Sequence, residues 1–186
     1  MTKIKSKGNI NASDLRYSEL ADDIAIGRRT LEEEAEGLKR IADSLDSSFV
    51  AALDAMQAAV GRVVVSGIGK SGNIGRKIAA TLASTGKPSQ YVNAAEASHG
   101  DLGMITRDDV LVVLSNSGNT PELAALIDFS CKLNISLIAI TGGKNSLLAK
   151  AANIALILPQ LTEACPLGLA PTTTTTGMLA LGDALA

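Results

Sequence analysis

The sequence predicts an α/β fold, a three-layer α/β/α sandwich around a five-stranded parallel sheet, preceded by N-terminal helices. Three observations predict it. From residue 62 onward, short β-branched runs alternate with segments of helical periodicity. Several of those runs are apolar at every position, as strands buried on both faces of a parallel sheet require. Ahead of them, apolar residues recur three or four apart, the spacing of helices that bury one side.

Taken in order, residues 1–13 are polar and carry Lys3, Lys5 and Lys7 with no apolar stretch behind them, which reads as a flexible tail rather than a signal peptide. A helical lead follows over 14–60. Tyr17, Leu20, Ile24, Leu31, Ala35, Leu38, Ile41 and Leu45 mark one stripe, and Glu32, Glu33, Glu34 and Glu36 face away from most of it. Ser47 is placed to cap a second helix bearing Phe49, Val50, Leu53, Met56 and Val60. Such helices cover a sheet or a neighbouring subunit. The α/β core spans 61–186, and 14–186 reads as one domain. Strands are expected at Arg62–Ser66, Ser89–Val92, Val110–Leu114, Ser136–Ile140 and Ile154–Leu158. Helices fit at Ser71–Thr85, Thr120–Leu133, Asn145–Ala151 and from Thr175 to the end. Ligands of open α/β sheets bind beyond the carboxyl ends of the strands. That rule selects the loops Gly67–Ser71, Asn93–Gly103, Ser115–Thr120, Thr141–Asn145 and Pro159–Pro171.

Composition narrows the partners. Of 186 residues only Tyr17, Phe49, Tyr91 and Phe129 are aromatic, so the core is aliphatic and base-stacking platforms are absent. The net charge of −2 supplies no basic field for nucleic acid or an anionic membrane. No apolar run approaches the ~20 residues of a membrane span. Cys131 and Cys165 make no disulfide framework and suit a reducing cytosol, so a cytoplasmic location is expected. One histidine and two separated cysteines form no zinc cluster, and no metal or cofactor is expected.

The first loop contains Gly67, Gly69 and Gly72 in the dinucleotide spacing, but the second strand ends Tyr91-Val92-Asn93 without the acid that binds ribose. A P-loop would need glycine where Val64 stands. What remains is backbone N–H groups at a helix start with Lys70 as a point charge, an anion site. In the third loop Ser115, Ser117 and Thr120 gather three hydroxyls at a helix start, followed by Pro121. A cap needs one hydroxyl; three, with the positive end of a helix, suit a phosphate dianion. His99, the only histidine, lies in the long second loop and is a candidate to touch a ligand. Glu163 is the only carboxylate between Asp128 and Asp183; isolated beside apolar residues, it is a candidate for a raised pKa and general-base work. Thr172–Thr176 is the only low-complexity stretch, and Cys165 reads as a packed thiol.

These loops resemble those of the sugar isomerase (SIS) family, whose fold is flavodoxin-like, and most closely its D-arabinose 5-phosphate isomerase branch, which feeds synthesis of the lipopolysaccharide sugar Kdo. The resemblance runs from about Leu31 to Ala186. Its specific pieces are Gly69-Lys70-Ser71-Gly72, the stretch from Ala95 to Met104, Ser115-Asn116-Ser117-Gly118, and the stretch from Glu163 to Thr172. It implies a cofactor-free interconversion of D-ribulose 5-phosphate and D-arabinose 5-phosphate through an enediolate, in a homotetramer. It implies catalytic roles for Lys70, Glu122 and Glu163, with Glu163 favoured as base and Glu122 serving a neighbouring subunit. Ser71, Gly86, Lys87, His99, Ser115, Ser117 and Thr120 match substrate-binding positions. A non-catalytic sugar-phosphate-binding module of the same family is the alternative; it would need the serine anchor but not both carboxylates. Two departures stand out. Asn93-Ala94-Ala95 replaces a His-Pro-Gly whose histidine is associated with inhibitory zinc. Family members also continue past the Gly182–Ala186 end to a Ser-His-Pro-Gly-Gly segment and a pair of CBS domains, so weak or no turnover is expected of these 186 residues.

Overall fold

Helices cover both faces of the sheet, so its central strands are buried on both sides, and their residues sort between two cores by alternation. The computed structural model describes residues 12–97 and 99–186. The tail expected at 1–13 lies, as far as residue 11, outside the described residues, and so do the side chains of Tyr17 and Leu20. The strands are β1 (Val63–Gly67), β2 (Ser89–Asn93), β3 (Val110–Leu114), β4 (Ser136–Thr141) and β5 (Ile154–Ile157). They form one parallel sheet in the order β2-β1-β3-β4-β5, with Val65 in register with Tyr91 on one side and Val112 on the other. The helices are α1 (Ala12–Asp43), α2 (Ser47–Ala58), α3 (Gly69–Ser84), α4 (Ala94–Ala97), α5 (Ala124–Leu133), α6 (Leu147–Ala151) and α7 (Thr173–Ala184).

Val63 and Val65 of β1 and Val110, Val112 and Leu114 of β3 join Ile41, Met56, Ile78, Leu82, Met178 and Leu181 in one core, beneath α1, α2, α3 and α7. Val64 of β1 and Leu111 and Val113 of β3 point the other way, to Ala94, Leu126 and Leu148 beneath α4, α5 and α6. The period-2 alternation of a strand makes this division. The largest fully buried side chains are all Ile, Leu, Val or Met, as the aromatic-poor composition predicts.

Several boundaries differ from the expected ones for local reasons. Asp46, not Ser47, caps α2: its carboxylate accepts from the Ser48 amide at 2.8 Å and from the Ser48 hydroxyl at 2.6 Å, which hold its pKa below the ordinary carboxylate value. The segment expected as a helix from Thr120 opens as a 3-10 turn, Pro121–Leu123, before α5. Ser146 caps α6, whose helix starts at Leu147 rather than Asn145. The stripe of the lead is not one buried face. Ile41 is buried, but Ile24 and Leu31 are 63% and 69% exposed, while Glu33 and Glu34 are half-buried. Packing selected where α1 can approach α7: a Cβ on Gly37 would sit 2.3 Å from Thr173 Cγ2, and one on Gly177 2.4 Å from Ile41 Cδ1.

Candidate active site

The sheet reverses its winding between β1 and β3, the point at which such folds open a crevice. The two strand ends are close: a Cβ on Gly67 would lie 3.1 Å from the Leu114 carbonyl oxygen and 3.2 Å from the Gly72 amide nitrogen. The loops carrying Lys70 and Ser115 therefore start side by side. Tyr91 braces this turn, its hydroxyl donating to the Gly67 carbonyl at 2.7 Å. Burial raises the Tyr91 pKa against the opposing charge of Arg76, whose guanidinium lies 4.3 Å from the ring centroid, so the phenol stays a donor. Lys70 is exposed in the first turn of α3. Ser71 is turned away, with its hydroxyl on the Met178 sulfur at 3.9 Å.

Beyond β3 the chain folds into a tight serine loop. The buried Ser115 hydroxyl lies 2.9 Å from that of Thr120 and accepts from the Gly118 amide at 3.1 Å. Ser117 is exposed and caps its own turn, accepting from Asn119 N at 3.3 Å. Gly118 has a φ of 63° and sits where a Cβ would be 2.1 Å from Ser146 Oγ, so only glycine fits. Loops after β3 and β4 are bound together: Gly142 N donates to the Asn116 carbonyl at 3.0 Å, and Leu148 N to that of Gly118 at 3.0 Å. Thr120 makes no side-chain cap to the turn it precedes. Glu122, on that turn, is exposed.

Past β5 the loop brings Glu163 back over the start of α7. Its Oε2 accepts from the Thr174 amide at 3.2 Å and its Oε1 from the Thr174 hydroxyl. Glu163 is therefore not isolated among apolar groups: it accepts from two donors in the first turn of α7, at the positive end of that helix. The threonine run has a division of labour. Thr173 and Thr174 are buried; Thr173 Oγ1 accepts from Ala164 N at 3.0 Å, and Thr175 Oγ1 donates back to the Pro171 carbonyl at 2.6 Å. These bonds start α7 at Thr173, two residues earlier than expected. Cys165, beside Glu163, is half-buried. Amides of Ala170, Leu169 and Leu167 lower its pKa, and burial opposes them less, so it is a more acidic thiol than an ordinary cysteine.

A cleft of about 510 Å³ opens among these loops, lined by Asn116, Gly142, Gly143, Gln160, Leu161, Glu163 and Thr174. Of the residues proposed from sequence only Glu163 lines it; Ser115 and Ser117 flank its Asn116, while Lys70 lies in the first turn of α3 and Glu122 on the 3-10 turn ahead of α5. His99 is exposed in the turn after α4, its amide donating to the Glu96 carbonyl at 2.9 Å, while Ser98 lies outside the described residues. Gly86 and Lys87 are not brought to this place. They precede β2, at the amino edge of the sheet, where Lys87 Nζ donates to the Ala59 carbonyl at 2.8 Å. Asn116, Gly142, Gly143, Gln160 and Thr174 were not singled out, although Asn116 lies inside the serine motif and Thr174 inside the threonine run. Among the described residues no three His, Cys, Asp or Glu side chains gather to hold a metal ion, and no helix is long and apolar enough to cross a membrane.

Known proteins resemble this chain in sequence and fold. The SIS domain family model matches residues 57–186. The chain is 51% identical over 172 residues to arabinose 5-phosphate isomerase KdsD of Pseudomonas aeruginosa, covering 92% of this chain and 53% of that protein. It is 51% identical over 160 residues to the protein of the same name from Salmonella typhi, covering 86% of this chain and 49% of that one. The chain thus spans about half the length of the curated relatives it matches. A solved structure from Escherichia coli CFT073, in complex with arabinose 5-phosphate, superposes with a TM-score of 0.83 at 39% identity, covering 95% of this chain and 89% of that one.

Proposed function

The chain belongs to the SIS domain family, and we propose that it is the sugar-phosphate-handling domain of an aldose–ketose isomerase that interconverts D-ribulose 5-phosphate and D-arabinose 5-phosphate. The observation that carries the reading is Glu163, a carboxylate held by two hydrogen bonds on the wall of a cleft at the carboxyl edge of the sheet. The names of the relatives and the sugar phosphate bound in the structural neighbour support the choice of sugar.

The reaction moves one proton between C1 and C2 and a second between the oxygens they bear, through an enediolate, so it needs a base at carbon, proton exchange at the oxygens and a grip on the distant phosphate. Glu163 takes the proton from one carbon and returns it to the other. Lys70 stabilises charge developing on the carbonyl oxygen. Ser115, Ser117 and Thr120, with the amides of their loop, hold the phosphate, and His99 and the Ser71 backbone add contacts to the substrate. Glu122, exposed, and Gly86 with Lys87, at the far edge of the sheet, act in the site of a neighbouring subunit of a homotetramer. The domain is taken as residues 14–186, without a cofactor, in a cytoplasmic enzyme supplying arabinose 5-phosphate for Kdo and lipopolysaccharide synthesis.

The test separates binding from turnover. The protein is titrated with D-arabinose 5-phosphate by calorimetry and assayed for its formation from D-ribulose 5-phosphate. Glu163→Gln is expected to keep the affinity within a few fold and to abolish any product formation. Absence of sugar-phosphate binding overturns the reading. Binding with no turnover in the parent, even when it is extended by the C-terminal part of its relatives, would instead favour a non-catalytic sugar-phosphate-binding module.

A further inference from the structure

Taking the cleft as the sugar-phosphate site of the preceding section, we propose that the two side-chain amides lining it, Asn116 and Gln160, read the hydroxyls of the sugar and set which sugar phosphate the domain accepts. The chemistry of the lining narrows the choice to them. Glu163 is the base of the reaction, and Thr174 spends its hydroxyl on that carboxylate. Gly142 and Gly143 offer no side chain, and Leu161 is apolar. The two amides remain, and an amide both donates and accepts, as a partner for a hydroxyl should.

Both residues are exposed, and neither side chain is hydrogen-bonded to another described residue. Elsewhere in this fold amides at element ends are committed: Asn93, Asn119 and Asn153 accept from the backbone N–H groups of Ala95, Leu147 and Leu137, at 3.1, 3.0 and 2.8 Å. The backbone beneath the two free amides is nevertheless fixed. The Asn116 carbonyl accepts from Gly142 N at 3.0 Å and from the Thr141 hydroxyl at 3.2 Å. Gln160 stands between Leu158, 4% exposed, and Leu161, which packs against the same core. A side chain held at its base and unpaired at its tip is prepared for a ligand, because binding need order only the tip.

The sheet sets the order in which a ligand meets them. Asn116 follows β3 and Gln160 follows β5, with β4 between, so their loops start two strand spacings apart, about 10 Å. The turn after β4 makes the floor. Gly143 must stay bare there, since a Cβ would lie 2.3 Å from the Ser117 carbonyl oxygen, and Asn116 leans over the same turn, its Oδ1 2.6 Å from where a Cβ on Gly142 would stand. A sugar whose phosphate is held in the β3 loop therefore meets Asn116 at its phosphate end and Gln160, near Glu163, at its reacting end. D-Arabinose 5-phosphate and D-ribose 5-phosphate differ only in configuration at C2, so Gln160 is the residue placed to tell them apart. A site that bonds a hydroxyl disfavours the ligand that leaves its polar group unpaired.

The experiment is calorimetric titration of the whole chain with D-arabinose 5-phosphate, D-ribose 5-phosphate and inorganic phosphate, with circular dichroism confirming that each variant is folded. Gln160→Met and Asn116→Leu keep the size of each side chain and remove its hydrogen bonds. Each is expected to weaken arabinose 5-phosphate on the order of five- to tenfold, the loss of one hydrogen bond, and to leave inorganic phosphate within about twofold. Gln160→Met is also expected to remove most of the preference of the parent for arabinose 5-phosphate over ribose 5-phosphate. An unchanged affinity for arabinose 5-phosphate in either variant overturns the assignment of that residue. Equal losses for sugar phosphate and inorganic phosphate overturn it too, since the side chain would then be shaping the loops. A preference that survives in Gln160→Met overturns the placement of Gln160 at the reacting end. A parent that binds no sugar phosphate overturns the functional reading itself, whereas a parent that binds it no better than both variants overturns this inference alone.

Discussion

Thr174 donates to both oxygens of Glu163, and because it is buried its hydroxyl has no water to turn to instead. Such a side chain fixes where a carboxylate points. Thr174→Val keeps the shape and the amide donor but loses the hydroxyl; Thr174→Ser keeps both. A hydrogen bond to a charged group is worth about 1.5–3 kcal/mol, so in the isomerisation assay of the chain extended by the C-terminal part of its relatives Thr174→Val is expected to lower kcat about 10- to 100-fold with KM little changed. Thr174→Ser should recover most of the loss. Thr174→Val is expected to leave the melting temperature little changed; a large drop would mean the threonine acts on the fold and not on the carboxylate. Two residues from Glu163, the backbone amides that stabilise the Cys165 thiolate make a second residue-scale prediction. Cys165 is expected to react with iodoacetamide faster than the exposed Cys131 near neutral pH, read by peptide mass spectrometry. Equal rates would show that the amides do not act on the sulfur in solution.

At the scale of elements, α7 is the piece against which the domain is closed. Its N-terminus holds the Glu163 loop, its middle receives α1, and its end meets α3, where a Cβ on Gly182 would lie 2.3 Å from Ile78 Cγ1 and 2.4 Å from Ile78 Cδ1. Ile78 is 1% exposed and has nowhere to retreat. Gly182→Ala is therefore expected to destabilise by about 1–3 kcal/mol, although alanine is the better helix former, and to lower the melting temperature. An unchanged or raised melting temperature would show that the α3–α7 contact is loose. The five strands were legible to within a residue at either end because short apolar, β-branched runs between turn residues have few other uses, and β2, the polar edge strand, was bounded by its place between two of them. The helix starts were less legible. Capping is decided by which of several adjacent polar side chains the chain turns inward, and Asp46 against Ser47 differ in sequence only by position. The same ambiguity hid Thr174, because five identical residues carry no periodicity to show which two are buried. Glu163 was legible because it stands alone in an uncharged loop; its partners were not, because they come from an element that folds back from eleven residues later.

For the whole molecule, the sheet divides labour between its edges. The carboxyl edge carries glycines, hydroxyls and Glu163 in loops, and the amino edge is tied. That division separates Gly86 and Lys87 from the carboxyl-edge loops of their own chain: a motif match is local, and the edge on which it falls depends on α3 reversing the chain. The knot at the amino edge is Asp109. Its Oδ1 accepts from Arg62 N at 2.7 Å and its Oδ2 from Thr106 N at 2.8 Å and Thr106 Oγ1 at 3.0 Å. Arg62 carries the tie onward, donating to Gln90 Oε1 at 2.8 Å and the Met104 carbonyl at 3.1 Å, so one carboxylate organises the starts of β1, β2 and β3. Burial by itself would raise the Asp109 pKa, but these donors and the Arg62 charge outweigh it and hold the pKa below the ordinary value of 3.8. A carboxyl more acidic in the folded than in the unfolded chain contributes stability that is fully present above the unfolded value and is lost as pH falls through the folded one. Asp109→Asn cannot accept from all three donors with one carbonyl oxygen, and is expected to cost about 1–3 kcal/mol in denaturant unfolding at neutral pH. The difference between parent and variant should stay constant down to about pH 4 and shrink below it as the parent's own carboxylate is protonated. A difference that persists undiminished in strong acid would place the stabilisation in side-chain shape, and the amino edge would then be held by packing and not by charge.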